Sequence, residues 1–306
     1  SVGTGLRIKQ TIIKAIPLII ASMGIIVAFK MKFWNIGAEG QILMGGMATA
    51  ALMIYAGDAM PNWLLLILIF IASATAGLIW GLIPAVFKAY FNTNETLFTL
   101  MLNYVAMQLV TFAIVFWENP SGSNTVGIIN AAGQKGWFPS VFGNMYGLNV
   151  IVVLVITLGM YVYMKYSKQG YEIAVVGESQ NTARYAGINV KKVIIRTMMI
   201  SGAICGLSGC LIVSGASHTI STSTAGGRGF TAIIVAWMSK FNPFAMILVS
   251  AFLVFMQQGS IQIASQFGLN ENASDIITGI LLFFLIGCEF FINYRLEWKK
   301  NHKEGK

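Results

Sequence analysis

Ser208 lies in a Gly206–Leu207–Ser208–Gly209 run, the GxSG pattern of intramembrane serine hydrolysis. A serine nucleophile needs a base within hydrogen-bond reach, normally a histidine from another element. The two histidines are His218, in the loop after the same apolar segment, and His302, in the tail. GxSG in a glycine-rich apolar run reads more economically as a helix-packing motif. No HExxH is present, and Cys205, Cys210 and Cys288 fall in apolar text without metal-ligand spacing. GxxxxGK[ST] is also missing, so the chain has no P-loop of its own to hold ATP.

The chemistry that remains is that of polar groups inside apolar text. Glu39, Glu95 and Glu289 are the carboxylates a proton or ion relay would need. All three fall near the ends of apolar runs, where an interfacial or capping role is the commoner one. Asn35, Gly37, Glu39, Gly40 and Gln41 form a polar, glycine-rich start to one such run. They read either as helix-end hydrogen bonds or as part of a gate. Asn103 and Gln108 lie deeper, and a buried amide needs a partner: a neighbouring helix or a solute hydroxyl. Phe98, Phe112 and Phe230 can stack on a base, although packing is the more frequent use of such rings. Gln257, Gln258, Ser260 and Gln262 mark either an external mouth or a plain helix end.

Composition defines what must position these groups. Hydrophobic residues make up 56% of the 306 and charged ones only 10%, with mean hydropathy +0.72. Many apolar runs approach the ~20 residues that a bilayer crossing requires. The chain is therefore all-α and polytopic, since open sheet edges do not survive in lipid and barrel alternation is missing. The net charge of +9 reflects topology rather than nucleic-acid binding, because the cations collect on one side.

Apolar runs predict spans over 15–29, 36–55, 63–87, 96–117, 149–166, 194–213, 244–256 and 276–291. About 8–9 crossings are expected in a single transmembrane domain, 1–306. The 36–55 run has a small-residue face (Gly45, Gly46, Ala48, Ala50, Ala51) suited to close packing. A polar loop of about thirty residues, 118–147, is long enough to be functional. Between SGASHTISTSTAGGRG and the next span lies a nine-residue apolar run, Phe230 to Met238. At 1.5 Å per residue it covers roughly half a bilayer, so it reads as a broken or re-entrant segment. Such segments expose backbone groups near mid-membrane, so Gly226 to Thr231, Gly227 and Phe230 included, join Asn103 as candidate pathway.

Lys165–Lys192 is the longest hydrophilic interruption. Ser179 serves as N-cap, Gln180 to Ala186 as a two-turn helix and Gly187 as its left-handed stop. Ala183, Tyr185, Ala186 and Ile188 read as a docking face, with a connector that only sets topology as the alternative. The 165–192 loop and the 295–306 tail each carry five Lys/Arg, which assigns both to the cytoplasm. Counting crossings back leaves Arg7 and Lys9 outside. A further span upstream would remove that violation, so the chain is expected to lack the first transmembrane helix of its parent.

FWNIGAEGQ (33–41), NETLFTLMLNYVA (94–106), GESQNTARYAGINV (177–190) and GGRGFTAIIVAWMSKFNPF (226–244) together resemble a known family. It is that of the ATP-binding-cassette importer permeases for simple sugars and nucleosides, the branched-chain amino acid/ribose type. The chain looks closest to nucleoside permeases that work with a basic-membrane-protein-type lipoprotein. The resemblance implies a type II-like permease in the bacterial plasma membrane with a cytoplasmic C-terminus. It also implies a second permease subunit, cytoplasmic ATPases that bind the ATP, and an external binding lipoprotein. Glu178, Ser179, Arg184, Tyr185 and Gly187 would then belong to the element that couples to the ATPase. Two positions depart from the family pattern: Ser179–Gln180 replaces an Asn–Pro, and Ala174 stands where an Arg is common. An ion-coupled secondary transporter is the alternative, and sensitivity to ionophores is what would distinguish it.

Overall fold

The computed structural model describes residues 5–141 and 146–269 and parts of 273–288. Among these residues it is all-helical. The helices are α1 (Gly5–Lys30), α2 (Ala38–Ala56), α3 (Asn62–Phe91), α4 (Glu95–Trp117), α5 (Gly147–Tyr166), α6 (Lys168–Glu178), α7 (Gln180–Tyr185), α8 (Val190–Ile212), α9 (Arg228–Met238) and α10 (Pro243–Gln266). A π-helical turn, Val213–Ser217, extends α8. Six of these segments are long and apolar enough to cross a membrane: α1, α3, α4, α5, α8 with its π turn, and α10. α2 has the length of a span but begins with Glu39 and Gln41. Among the described residues, then, six helices meet the length and apolarity of a crossing, with α2 and the half-length α9 beside them; the expected 8–9 crossings also draw on 276–291, which is only partly described. The 276–291 span is described only in part, and Glu289 and the basic tail lie outside the described residues.

Helix α8 is the centre, packed against α1, α2 and α3. Its sequence explains why three helices can crowd it. Gly202, Gly206 and Gly209 place bare backbone on one side, where an added Cβ would run into the backbone of Gly77, Ser73 and Ile42 respectively. Gly45 of α2 meets Gly206 in the same way. Without a hydrophobic drive between helices in lipid, such backbone approach is what holds them together. Ser208 belongs to this seam: it is fully buried, and its hydroxyl donates to the Pro17 carbonyl of α1 at 2.8 Å. The GxSG run is thus a packing element, with its serine committed to a backbone bond.

The segment after α5 differs from the sequence expectation. Residues 168–178 form a helix, α6, whereas the sequence reading of 165–192 places a helix only at 180–186. Gly170, Ile173, Val176 and Gly177 make a buried stripe at helical spacing, while Lys168 and Gln169 face outward. Gly177 lies directly on the backbone of Lys30, so α6 is laid across the end of α1. Glu172 of α6 pairs with Arg196 of α8 at 2.9 Å. Two turns of mixed charge concealed this stripe in the sequence.

At the opposite end of the bundle, the described part of the 118–147 loop closes over the helices. The Asn130 side chain donates to the Met53 and Lys135 carbonyls, and Gly136 N–H donates to Asn62 Oδ1. Trp137 stacks on His218 with ring centres 3.7 Å apart. Burial there holds the His218 imidazole below its ordinary pKa.

Candidate coupling helix and translocation path

Helix α7 is six residues long and is fixed at both ends by its own sequence. Ser179 Oγ accepts from Thr182 N–H at 3.2 Å, and Gly187 adopts φ +76°. Ala183 is buried against the rest of the protein, while Glu178, Arg184 and Tyr185 are exposed, Tyr185 to 93%. The expected docking face is therefore divided. Ala183 and the half-buried Ile188 turn inward and anchor the helix, leaving Arg184, Tyr185 and Ala186 to meet a partner.

Glu39 sits where three elements converge. It is 3% exposed, and its carboxylate accepts from Gly227 N–H and Gly229 N–H, each at 2.7 Å. It therefore caps the N-terminus of α9, the short helix of the broken segment. Both the unpaired amides and the helix dipole favour a negative charge at that point. The partner is 188 residues away, which explains why the sequence indicates a capping carboxylate without showing what it caps.

The turn before α2 is wired to its neighbours in the same way. Asn35 Nδ2 donates to Ser201 Oγ and to Gln41 Oε1, and Gly37 N–H donates to Asn35 Oδ1. Gly40 N–H donates to Asn103 Oδ1, and Asn103 Nδ2 donates to the Ile36 carbonyl, both at 2.9 Å. Asn103 is thus 2% exposed with both ends of its amide engaged by backbone. Its position is that of a brace between α4 and the start of α2. We expect Asn103→Leu to leave two backbone groups unpaired, at about 1–3 kcal/mol each. The melting temperature of the purified protein should fall. An unchanged melting temperature with altered uptake kinetics would return Asn103 to the solute path.

Other candidates are placed apart from this cluster. Gln108 is on the outward face of α4. Phe98 stacks on Phe87 at 4.8 Å and lines an apolar groove with Leu97, Met101 and Val105. Glu95 pairs with Lys88 at 2.7 Å. Phe112 is exposed and packs edge-on against Phe116. Phe230 is 40% exposed, and Thr231 donates to the Gly227 carbonyl at 3.1 Å.

A cavity of about 240 Å³ opens between α1, α9 and α10. Lys14, Ser223, Gly226, Arg228, Thr231, Gln257 and Gln258 supply its polar wall. Of these, Gly226, Arg228 and Thr231 belong to the broken segment that the sequence singled out. Gln257 and Gln258 were expected at a mouth or a helix end, but α10 runs on to Gln266, so they lie within it. Lys14 was missed, and Arg228, though inside the 226–231 segment, was not picked out as a site residue. Each is a lone cation next to apolar or glycine-rich text, and only the fold brings them to one cavity.

This bundle, with six helices among the described residues long and apolar enough to cross a membrane and a half-length helix whose start is capped by a carboxylate of α2, is that of a multi-pass membrane protein. The chain belongs to the family described as Branched-chain amino acid transport system / permease component, whose model matches residues 7–286. It is 30% identical to the guanosine ABC transporter permease protein NupP of Bacillus subtilis, over 91% of this chain and 80% of that one. The glucose ABC transporter permease protein TsgB13 of Haloferax volcanii is 28% identical over 94% of this chain and 78% of its own length. The nucleoside ABC transporter permease protein NupB of Lactococcus lactis subsp. cremoris is 26% identical over 97% and 83%. No solved structure matches the chain. The chain is accordingly an ABC importer permease subunit and not an enzyme, with ATP hydrolysis carried out by a partner chain.

Proposed function

We propose that this chain forms the translocation pathway of an importer for nucleosides, with simple sugars as the next class. Support for the solute comes from relatives named for guanosine, nucleosides and glucose. The observation that carries the coupling mechanism is α7, a capped helix anchored by Ala183 and presenting Arg184 and Tyr185 outward. The ATPase would hold this helix, and its closure would move α6 and α7 against the end of α1. That motion would rock the bundle and open the pathway to a solute delivered by an external binding lipoprotein. A second permease subunit would complete the pathway in the bacterial plasma membrane, with the C-terminus cytoplasmic. The candidate pathway is the broken segment from Gly226 to Thr231, Gly227 and Phe230 included. The 35–41 turn would act as the gate beside it.

The ion-coupled alternative lacks a relay among the described residues. Glu39 is bound to two amides and Glu95 to Lys88. The proposal is tested by reconstituting the assembled transporter in liposomes and following labelled nucleoside and ribose in competition. ATP-dependent nucleoside uptake that ribose competes only weakly is the expected result. Uptake of neither solute would remove the assignment.

A further inference from the structure

We propose that the cavity between α1, α9 and α10 is an oxyanion-binding site, built to take a carboxylate or phosphate group between Lys14 and Arg228. This inference does not depend on the solute assigned above. Both cations line the same cavity. No carboxylate lines it among the described residues. Glu39 offsets part of the Arg228 charge, but its carboxylate accepts from Gly227 N–H and Gly229 N–H and does not line the cavity.

Two cations lining one cavity can be bridged by a single oxyanion through charge-assisted bonds. The wall is also rich in donors. Lys14 Nζ donates to Gln258 Oε1 at 3.0 Å, which holds the ammonium in place and turns that amide's oxygen away from other donors. Arg228 Nη1 donates to the Thr224 and Ala225 carbonyls, both at 3.1 Å, which fixes the guanidinium plane. Its remaining N–H groups are the kind of planar fork that matches a carboxylate or phosphate edge. Ser223 and Gln257 add a hydroxyl and an amide to the same wall.

The site lies toward the end of the bundle away from α6 and α7. Lys14 and Lys30 are sixteen residues apart on α1, roughly 24 Å at 1.5 Å per residue. An anion held there would draw α1, α9 and α10 together at the end opposite the coupling helix. The same anionic chemistry has two sources: an acid group carried by the solute, or a free inorganic ion.

The test uses the assembled transporter in nanodiscs, titrated with inorganic phosphate and followed by calorimetry. Saturable binding is expected, weakened roughly tenfold or more in Lys14→Gln and restored in Lys14→Arg, since a charge-assisted bond is lost and regained. Lys14→Gln changes an exposed residue and leaves the helix caps intact, so misfolding will not obscure the result. Absence of binding overturns the site. Equal binding by the parent protein and Lys14→Gln means an adventitious ion only, and overturns it too. Competition then separates the sources. Displacement of phosphate by a nucleoside 5′-monophosphate but not by the nucleoside assigns the anion to a solute. Displacement by neither assigns it to the free ion. Because no ATP turnover or uptake is read, failure of the nucleoside assignment would leave this measurement intact.

Discussion

Replacing Arg184 and Tyr185 together by alanine is expected to abolish solute-stimulated ATP hydrolysis while the protein still inserts and folds. Both side chains are exposed, and neither lies in a span. Ala183, which anchors α7, is untouched, and so are the Ser179 cap and the Gly187 stop. The helix should therefore remain in place with its contact surface removed. Arg and Tyr are typical interface anchors, the first through its forked donors and the second through a large ring with a polar tip. Truncating one such anchor commonly costs about 2 kcal/mol, or roughly thirtyfold in affinity. Two in adjacent positions should reduce co-purification of the ATPase below detection. Retained ATPase and normal stimulation would make 165–192 a topological connector only.

The second large effect is expected at Glu39. Glu39→Leu removes the acceptor of two backbone N–H groups at the start of α9, in a place with little water to replace it. Charge-assisted bonds are worth about 1.5–3 kcal/mol each, so the loss is about 3–6 kcal/mol. The broken segment should come loose from α2, seen as rapid proteolysis or raised hydrogen exchange over residues 219–231. Glu39→Gln keeps one acceptor oxygen but turns an amide donor toward the second N–H, so an intermediate effect is expected. If Glu39→Leu leaves exchange over 219–231 unchanged, the carboxylate does not hold that segment.

These two sites differ in how far the sequence exposed them. Helix α7 is local: cap, turn and stop fall within nine residues, and each acts through its own backbone. The spans were legible because apolar length is likewise a local property. The packing role of Gly206–Leu207–Ser208–Gly209 could be read from its composition, though not that Ser208 meets Pro17. Glu39 and Asn103 were legible only as polar groups that require partners. Those partners, Gly227 and Gly229 in one case and Ile36 and Gly40 in the other, are set by how distant helices cross. Helix α6 was hidden because its buried stripe uses two glycines, which carry no hydrophobic signal. The cavity wall was hidden because it draws single residues from α1, the broken segment and α10.

The central claim, that α7 is the point of contact with an ATPase, is tested most directly by photo-crosslinking in membranes. A photoreactive side chain is placed at position 185, and in a control at position 134, in the loop at the opposite end of the bundle. A covalent adduct with the ATPase from position 185, and none from position 134, is the predicted result. Adducts from neither position, or equally from both, would contradict the account.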